Sequence, residues 1–218
     1  YALWAVLGGQ VTVEGAVQCF GENTLGVYSN GAGSKATVER GVVAAASDSK
    51  GVNAKNGGAA EITGDVTAGK TGVTTSGSGA PPSEVTVYGN VTVNSTESEI
   101  IGVSAGGDTN ILITGNVTAK GAGSTGAYAN GSSIVIGGKV TSDGIGAEAT
   151  NSGSIRIDGM LAAEGAYVKV AGVPKAIDEY DAESTDPNYW VYKNGSSIVS
   201  IKKVPITVLP TVVTGAVT

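Results

Sequence analysis

Apolar and polar residues alternate along this chain in short bursts, each only three to five residues long, and the bursts recur. One type reads Val11-Thr12-Val13, Ala36-Thr37-Val38, Ala60-Glu61-Ile62, Val85-Thr86-Val87, Ile111-Leu112-Ile113, Ile134-Val135-Ile136 and Ile155-Arg156-Ile157. A second type follows a turn and centres on Val17, Val42, Val66, Val91, Val117, Val140 and Leu161. A third opens with a glycine: Gly26, Gly51, Gly72, Gly102, Gly126, Gly146 and Gly165. Period-2 alternation predicts strands with one buried face, and glycine, asparagine and serine punctuate their ends. Successive second pieces lie 25, 24, 25, 26, 23 and 21 residues apart. Three short strands per turn of roughly 24 residues is the pattern of a parallel β-helix, each rung pairing with the next. At about 4.8 Å per strand, seven rungs make a rod of roughly 30–35 Å.

The expected fold is therefore all-β. A single parallel β-helix of about seven rungs spans residues 1–172, a capping loop and β-hairpin residues 173–204, and a linker or the first strand of a following domain residues 205–218. Ala2-Leu3-Trp4-Ala5 reads as the third strand of a rung whose earlier part is missing. A solenoid end exposes strand edges and an apolar bore, so it needs a cap. The hairpin signalled by Asn194-Gly195 fits that need, with Trp190 as its plug.

Composition explains how the bore is filled. Glycine numbers 35 of 218 residues, and aromatic residues are only 5%. Valine, isoleucine and alanine suit a narrow bore that has little room for rings. Gly15, Gly64, Gly89, Gly115, Gly138 and Gly159 share one slot between the first and second pieces. Positive φ at this sharp corner is the expected reason. Rung two carries Arg40 there, with Gly41 next, which predicts a shifted or bulged corner. Just after the slot, Asp65, Asn90, Asn116 and Lys139 stack, which predicts a hydrogen-bonded ladder. Rungs differ most in their loops, and the longest is Asn94–Ile101 with Glu97 and Glu99. Varied loops on one face of a solenoid often form its binding face.

Charge and residue type narrow the chemistry. There is no histidine, which removes Ser-His-Asp and Cys-His catalysis and imidazole zinc sites. Cys19 is the sole cysteine, so no internal disulfide forms. A net charge of −6 argues against nucleic acid as a partner, and no apolar run is long enough to span a bilayer. Polysaccharide cleavage needs paired carboxylates, whereas Glu14, Glu39, Glu61, Asp65, Asp143, Glu148 and Asp158 are scattered. The expectation is no enzyme and no cofactor. Calcium is the one weak candidate, at the acidic loop with Asp178, Asp181, Glu183 and Asp186, which lacks EF-hand spacing. Thr67, Thr92, Thr118 and Thr141 stack outward, but their mixed neighbours spoil an ice-binding plane. Tyr28, Tyr128 and Tyr167 fall on outward positions of the third strand, where exposed rings can stack on sugars.

The repeated phrase of alternating Ile/Val, then Gly-Asn-Val-Thr-Ala and Gly-Ala-Tyr-Ala, is clearest at Ile111–Ala129. It resembles the right-handed β-helix repeats of bacterial adhesin-like surface proteins, of the Gram-positive cell-wall and autotransporter-passenger type. The resemblance covers about residues 1–172 and is specific for architecture rather than for ligand. Leu209-Pro210-Thr211 is not a sorting signal, because the Thr214-Gly215 pair falls two residues late. The resemblance implies an extracellular or cell-surface location and a monomeric module of a longer chain. Its expected role is adhesin stalk and interaction surface, contacting glycans or host proteins. The alternative is a carbohydrate-active β-helix enzyme, lyase or hydrolase, or its calcium-dependent carbohydrate-binding accessory.

Overall fold

A computed structural model describes residues 2–77, 79, 81–96, 98–182, 184 and 186–203. The expected linker or strand at 205–218 lies outside the described residues, as do Glu97 and Glu183. Among the described residues there is no helix, and three parallel sheets wind into a β-solenoid of about seven turns.

Each turn contributes one strand to each sheet. Sheet 1 stacks Gln10–Val13, Lys35–Val38, Ala59–Ile62, Glu84–Val87, Asn110–Ile113, Ser133–Ile136 and Ser154–Ile157. Sheet 2 runs from Val17–Cys19 through Val42–Ala44 to Leu161–Ala163, and sheet 3 from Leu3–Val6 through Leu25–Asn30 to Val168–Val170. Pairing is in register throughout these stacks. Val17 lies beside Val42, Val42 beside Val66, and the column continues to Leu161. Inward columns such as Val38, Ile62, Val87, Ile113, Ile136 and Ile157 are fully buried and belong to one continuous core. Burying a Val or Ile side chain in this way contributes roughly 1.5–3 kcal/mol.

The corner glycines are needed for a reason other than the one expected. None of Gly64, Gly89, Gly115, Gly138 or Gly159 has positive φ. A Cβ on Gly115 would instead lie 2.5 Å from the carbonyl oxygen of Gly89, and one on Gly138 2.6 Å from that of Gly115. The rungs touch backbone to backbone at this corner, and a side chain has no room. The corner at Arg40 does differ: its carbonyl oxygen would sit 1.1 Å from a Cβ on Gly64. Register on both sides is nevertheless kept, with Val38 beside Ile62 and Val42 beside Val66. The glycines that open the sheet 3 strands are confined in the same way. A Cβ on Gly102 would lie 2.5 Å from the Gly126 carbonyl oxygen and 2.6 Å from Val117 Cγ1.

The expected amide ladder forms at the first corner. Asp65 Oδ1 accepts from the Asn90 backbone N–H (2.7 Å) and from Asn90 Nδ2 (3.1 Å). Asn90 Oδ1 accepts in turn from the Asn116 backbone (2.9 Å) and amide (3.1 Å), and Asn116 Oδ1 from the Lys139 N–H (2.8 Å). The ladder thus runs one way, from a carboxylate that needs no donor to a rung that supplies only its backbone.

The seventh rung departs from the sequence alignment. Ala147 pairs with Val168 and Glu148 with Lys169, two residues later than the Gly146–Gly165 match requires. Gly165 stacks instead on Gly144, whose carbonyl accepts its N–H at 3.0 Å. The short link after Leu161 leaves Gly165 still in the corner, so Tyr167 occupies the place opposite Gly146.

The C-terminal end is closed by a hairpin that is also part of the coil. Ser197–Lys202 pairs parallel with Ser154–Ile157 as the eighth strand of sheet 1. Tyr189–Asn194 then covers its edge in antiparallel fashion. The two turn residues are Gly195 and Ser196, with Gly195 at φ +59°. Sheet 3 ends likewise, on the antiparallel strand Val173–Lys175. Ser197 occupies a recurring slot: its hydroxyl accepts from the Ser152 N–H at 3.1 Å, as Ser34 does from Gly8 and Ser83 from Gly57, both at 3.0 Å.

Trp190 packs half-buried against the core, and the deeper plug is Tyr192, which is fully buried. Its ring meets Tyr167 edge-on at 6.0 Å, and its hydroxyl donates to the Ile177 carbonyl at 2.7 Å. Burial raises the Tyr192 hydroxyl pKa far above the ordinary tyrosine value, helped by neighbouring Tyr167, Asp178 and Tyr180.

Outside the plug, Arg156 binds Asp158 through Nε (2.8 Å) and Nη2 (3.3 Å) while lying 5.0 Å from the Tyr189 ring centroid. Tyr189 donates its hydroxyl proton to Asp158. Partial burial pushes the Asp158 carboxyl up. The Tyr189 hydrogen bond, the Arg156 hydrogen bond and charge, and the Lys202 charge outweigh this and hold it below its ordinary value.

Three measurements of folding stability follow from these contacts. Gly115→Ala is expected to destabilise the protein by about 1–3 kcal/mol through overpacking. Gly15→Ala, whose Cβ meets nothing within 4 Å, leaves the denaturation midpoint almost unchanged. Tyr192→Ala is expected to cost about 3–5 kcal/mol, as other large buried rings do, and Tyr192→Phe about 1 kcal/mol. Because Asp158 is depressed in the folded state, its contribution is present above the unfolded carboxyl pKa and is lost as pH falls through the folded value. Asp158→Asn should therefore lower Tm at neutral pH and flatten its fall on acidification, and an unchanged acid limb would refute the assignment.

Candidate functional site

Backbone pairing fixes which side chains share the outer face of sheet 3. The outward column runs Trp4, Tyr28, Asn53, Thr74, Ser104, Tyr128, Glu148 and Lys169. Tyr28 and Tyr128 hold the outward positions expected of them. After Glu148 comes Lys169 rather than Tyr167, and the Lys169 Nζ lies 3.4 Å from Glu148 Oε1. Tyr28 and Tyr128 are separated by four strand steps, about 19 Å at the usual spacing, too far to stack on one sugar ring. Tyr167 is half-buried against Tyr192 at the end of the bore.

Around Tyr28 the surface is concave. A groove of about 520 Å³ is lined by Thr24, Tyr28, Asp48, Lys50, Asn53 and Lys55, among others. Its rim is braced where the chain enters sheet 3. Thr24 Oγ1 donates to the Gly21 carbonyl (2.9 Å) and to Ser49 Oγ (2.9 Å), and Ser49 Oγ donates to the same carbonyl at 3.1 Å. Trp4 extends the aromatic surface beyond Tyr28: it is 56% exposed, and the two ring centroids are 6.4 Å apart at 52°.

Asn53 forms the floor. It is only 6% exposed, flanked by Tyr28 and Thr74, and its Oδ1 is buried with no hydrogen-bond partner. An unpaired buried amide costs about 1–3 kcal/mol. Charge is also unbalanced here. Asp48 is bound to Lys70 at 2.9 Å, and among the described residues neither Lys50 nor Lys55 has a carboxylate partner within ion-pair distance. Lys50 and Lys55 thus bring positive charge to the groove, on a chain whose net charge is −6.

The other sequence candidates are not gathered into a site. Glu99 is exposed at φ +61° in a loop pinned by Ile100, which is buried with Ala68 and Val93. In the acidic loop, Asp186 Oδ1 accepts from the Asn188 N–H at 2.9 Å, a local turn. The Asp181 backbone N–H is bonded to the Val191 carbonyl at 2.7 Å, and Asp178 lies near Tyr192. Among the described residues no three carboxylates cluster as a metal site would require. Rung carboxylates have separate partners: Glu61 with Lys35 at 2.7 Å, Glu148 with Lys169, and Asp143 Oδ2 with the Gly121 N–H at 2.9 Å.

Trp4, Lys50 and Lys55 were not among the candidates read from the sequence. The signal for Trp4 was present, since Ala2–Ala5 reads as a sheet 3 strand and alignment places Trp4 above Tyr28. No family model, curated protein or solved structure matches the chain.

The unpaired amide yields a direct check on stability. Asn53→Val places a good strand former on the same surface and removes the unpaired group. Its Tm is expected to rise, by the equivalent of up to about 1–3 kcal/mol. A fall in Tm would mean that the amide has a structural role.

Proposed function

We propose that this chain is a non-enzymatic β-helix module of a secreted or cell-surface protein, serving as stalk and interaction surface in the manner of bacterial adhesin-like proteins. Its partner is an extracellular saccharide, held on the outer face of sheet 3. One observation carries this reading: the exposed Trp4 ring, with half-buried Tyr28 beside it, stands next to a braced polar groove that has an unpaired amide on its floor. Aromatic faces present a rigid apolar platform to the C–H face of a sugar ring, and amides and hydroxyls beside them fix its orientation. The solenoid supplies a stiff support, because each rung is hydrogen-bonded to its neighbours in all three sheets. A rigid surface loses little conformational freedom on binding.

Glycan-array screening followed by calorimetry tests the proposal. Trp4→Ala and Tyr28→Ala are each expected to weaken the saccharide hit about tenfold, equivalent to roughly 1.4 kcal/mol. Circular dichroism should remain that of the parent protein, since Trp4 is exposed and Tyr28 lies on the outer face. Affinity unchanged in both variants would remove sheet 3 from the binding surface, and an array with no hit would leave a spacer role.

A further inference from the structure

Resting on that reading, we infer that the Tyr28 groove selects a saccharide carrying a carboxylate or sulfate group, with Lys50 and Lys55 as its charge contacts and Asn53 as its hydroxyl contact. Both lysines lie on the strand Lys50–Lys55, one at each end, with Asn53 between them. Asp48, the acidic group lining the same groove, is tied to Lys70 on the next rung. Among the described residues, the lysines are thus left without a carboxylate to neutralise them. On an otherwise acidic protein, a focal positive patch steers anions to one place.

Two other lysines are each compensated by a carboxylate on a neighbouring rung. Lys35 faces Glu61, and Lys169 faces Glu148. Among the described residues, no carboxylate pairs with Lys50 or Lys55 in this way. Charge alone would accept any polyanion, but the groove also offers a ring and an amide. Rotation about the last torsion of Asn53, which has a broad twofold preference, presents either its oxygen or its NH2 group. A sugar hydroxyl or acetamido group satisfies either end. A ring face, a hydroxyl contact and a charge contact within one groove match an acidic sugar better than an acidic peptide.

Binding of matched ligands to the full chain tests this by calorimetry. The probes are oligogalacturonate and its methyl ester, a sulfated galactan oligosaccharide and its desulfated form, and poly-L-glutamate. Each acidic sugar that binds is expected to do so at least tenfold more tightly than its neutral counterpart. The first pair reports carboxylate recognition and the second sulfate. Lys50→Ala/Lys55→Ala should abolish that preference, Lys50→Arg/Lys55→Arg should retain it, and raising salt from about 0.05 M to about 0.5 M should weaken it. Asn53→Val should weaken binding while leaving salt dependence intact. Equal binding of neutral and acidic forms, lost in Trp4→Ala and Tyr28→Ala but not in the lysine variants, overturns the anionic inference and leaves the saccharide reading standing. Poly-L-glutamate binding as tightly as the acidic sugars overturns the saccharide class itself. No binding by any probe or by the glycan array overturns both.

Discussion

In-register stacking of each rung on the last is the constraint from which the rest of this structure follows. Parallel pairing at about 4.8 Å places every position directly beside its equivalent in two neighbouring rungs. A residue must then tolerate its own kind above and below. Valine and isoleucine do so in the bore, where Val38 to Ile157 form an unbroken buried column. Asparagine does so at the corner, because one amide both donates and accepts. Glycine does so where backbones meet, as at Gly89, Gly115 and Gly138. Where charges pair between adjacent strands they alternate in sign, as in Lys35–Glu61 and Glu148–Lys169.

The same constraint makes an end expensive, since the last rung presents what an inner rung would bury. At the C-terminal end the chain first imitates a rung and then stops it. Ser197–Lys202 keeps parallel register and repeats the serine slot of Ser34 and Ser83. Tyr189–Asn194 and Val173–Lys175 run antiparallel and terminate two of the three sheets. Rings appear where the bore no longer has to fit another turn: Tyr192 fills it, with Tyr167 against its edge. Arg156, Asp158 and Tyr189 fasten the cap from outside.

How much of this was legible follows from what a column reveals. Strand identity, inward faces and the Asp65–Lys139 ladder could be read because each recurs in successive rungs. The role of the corner glycines could not, because a missing side chain looks the same whether it serves positive φ or close approach. Gly165 misled because Gly144 and Gly146 are both plausible partners, and only the pairing of Ala147 with Val168 decides between them. The eighth sheet 1 strand was hidden by about forty residues of intervening chain, although Ser197-Ile198-Val199-Ser200-Ile201 has the same alternation. At the site, Tyr28 was visible as an outward position. That the Asn53 amide lacks a partner, and that Asp48 is engaged by Lys70, depends on side-chain geometry that no spacing encodes.

Outward columns are where the stacking rule is least demanding, and the difference separates support from surface on this rod. On sheet 3 the inward positions hold small or branched apolar residues and hydroxyls, while the outward column changes chemistry at almost every rung. Backbone pairing is complete without those side chains, so their identity is not set by the coil. Thr74, directly beside Asn53, shows that a β-branched residue suits this surface. An amide buried to 6% exposure with an unpaired oxygen is the less stable choice at such a place. A position that forgoes stability on a surface free to choose otherwise points toward something beyond the fold. The unbalanced lysines on the same strand point in the same direction.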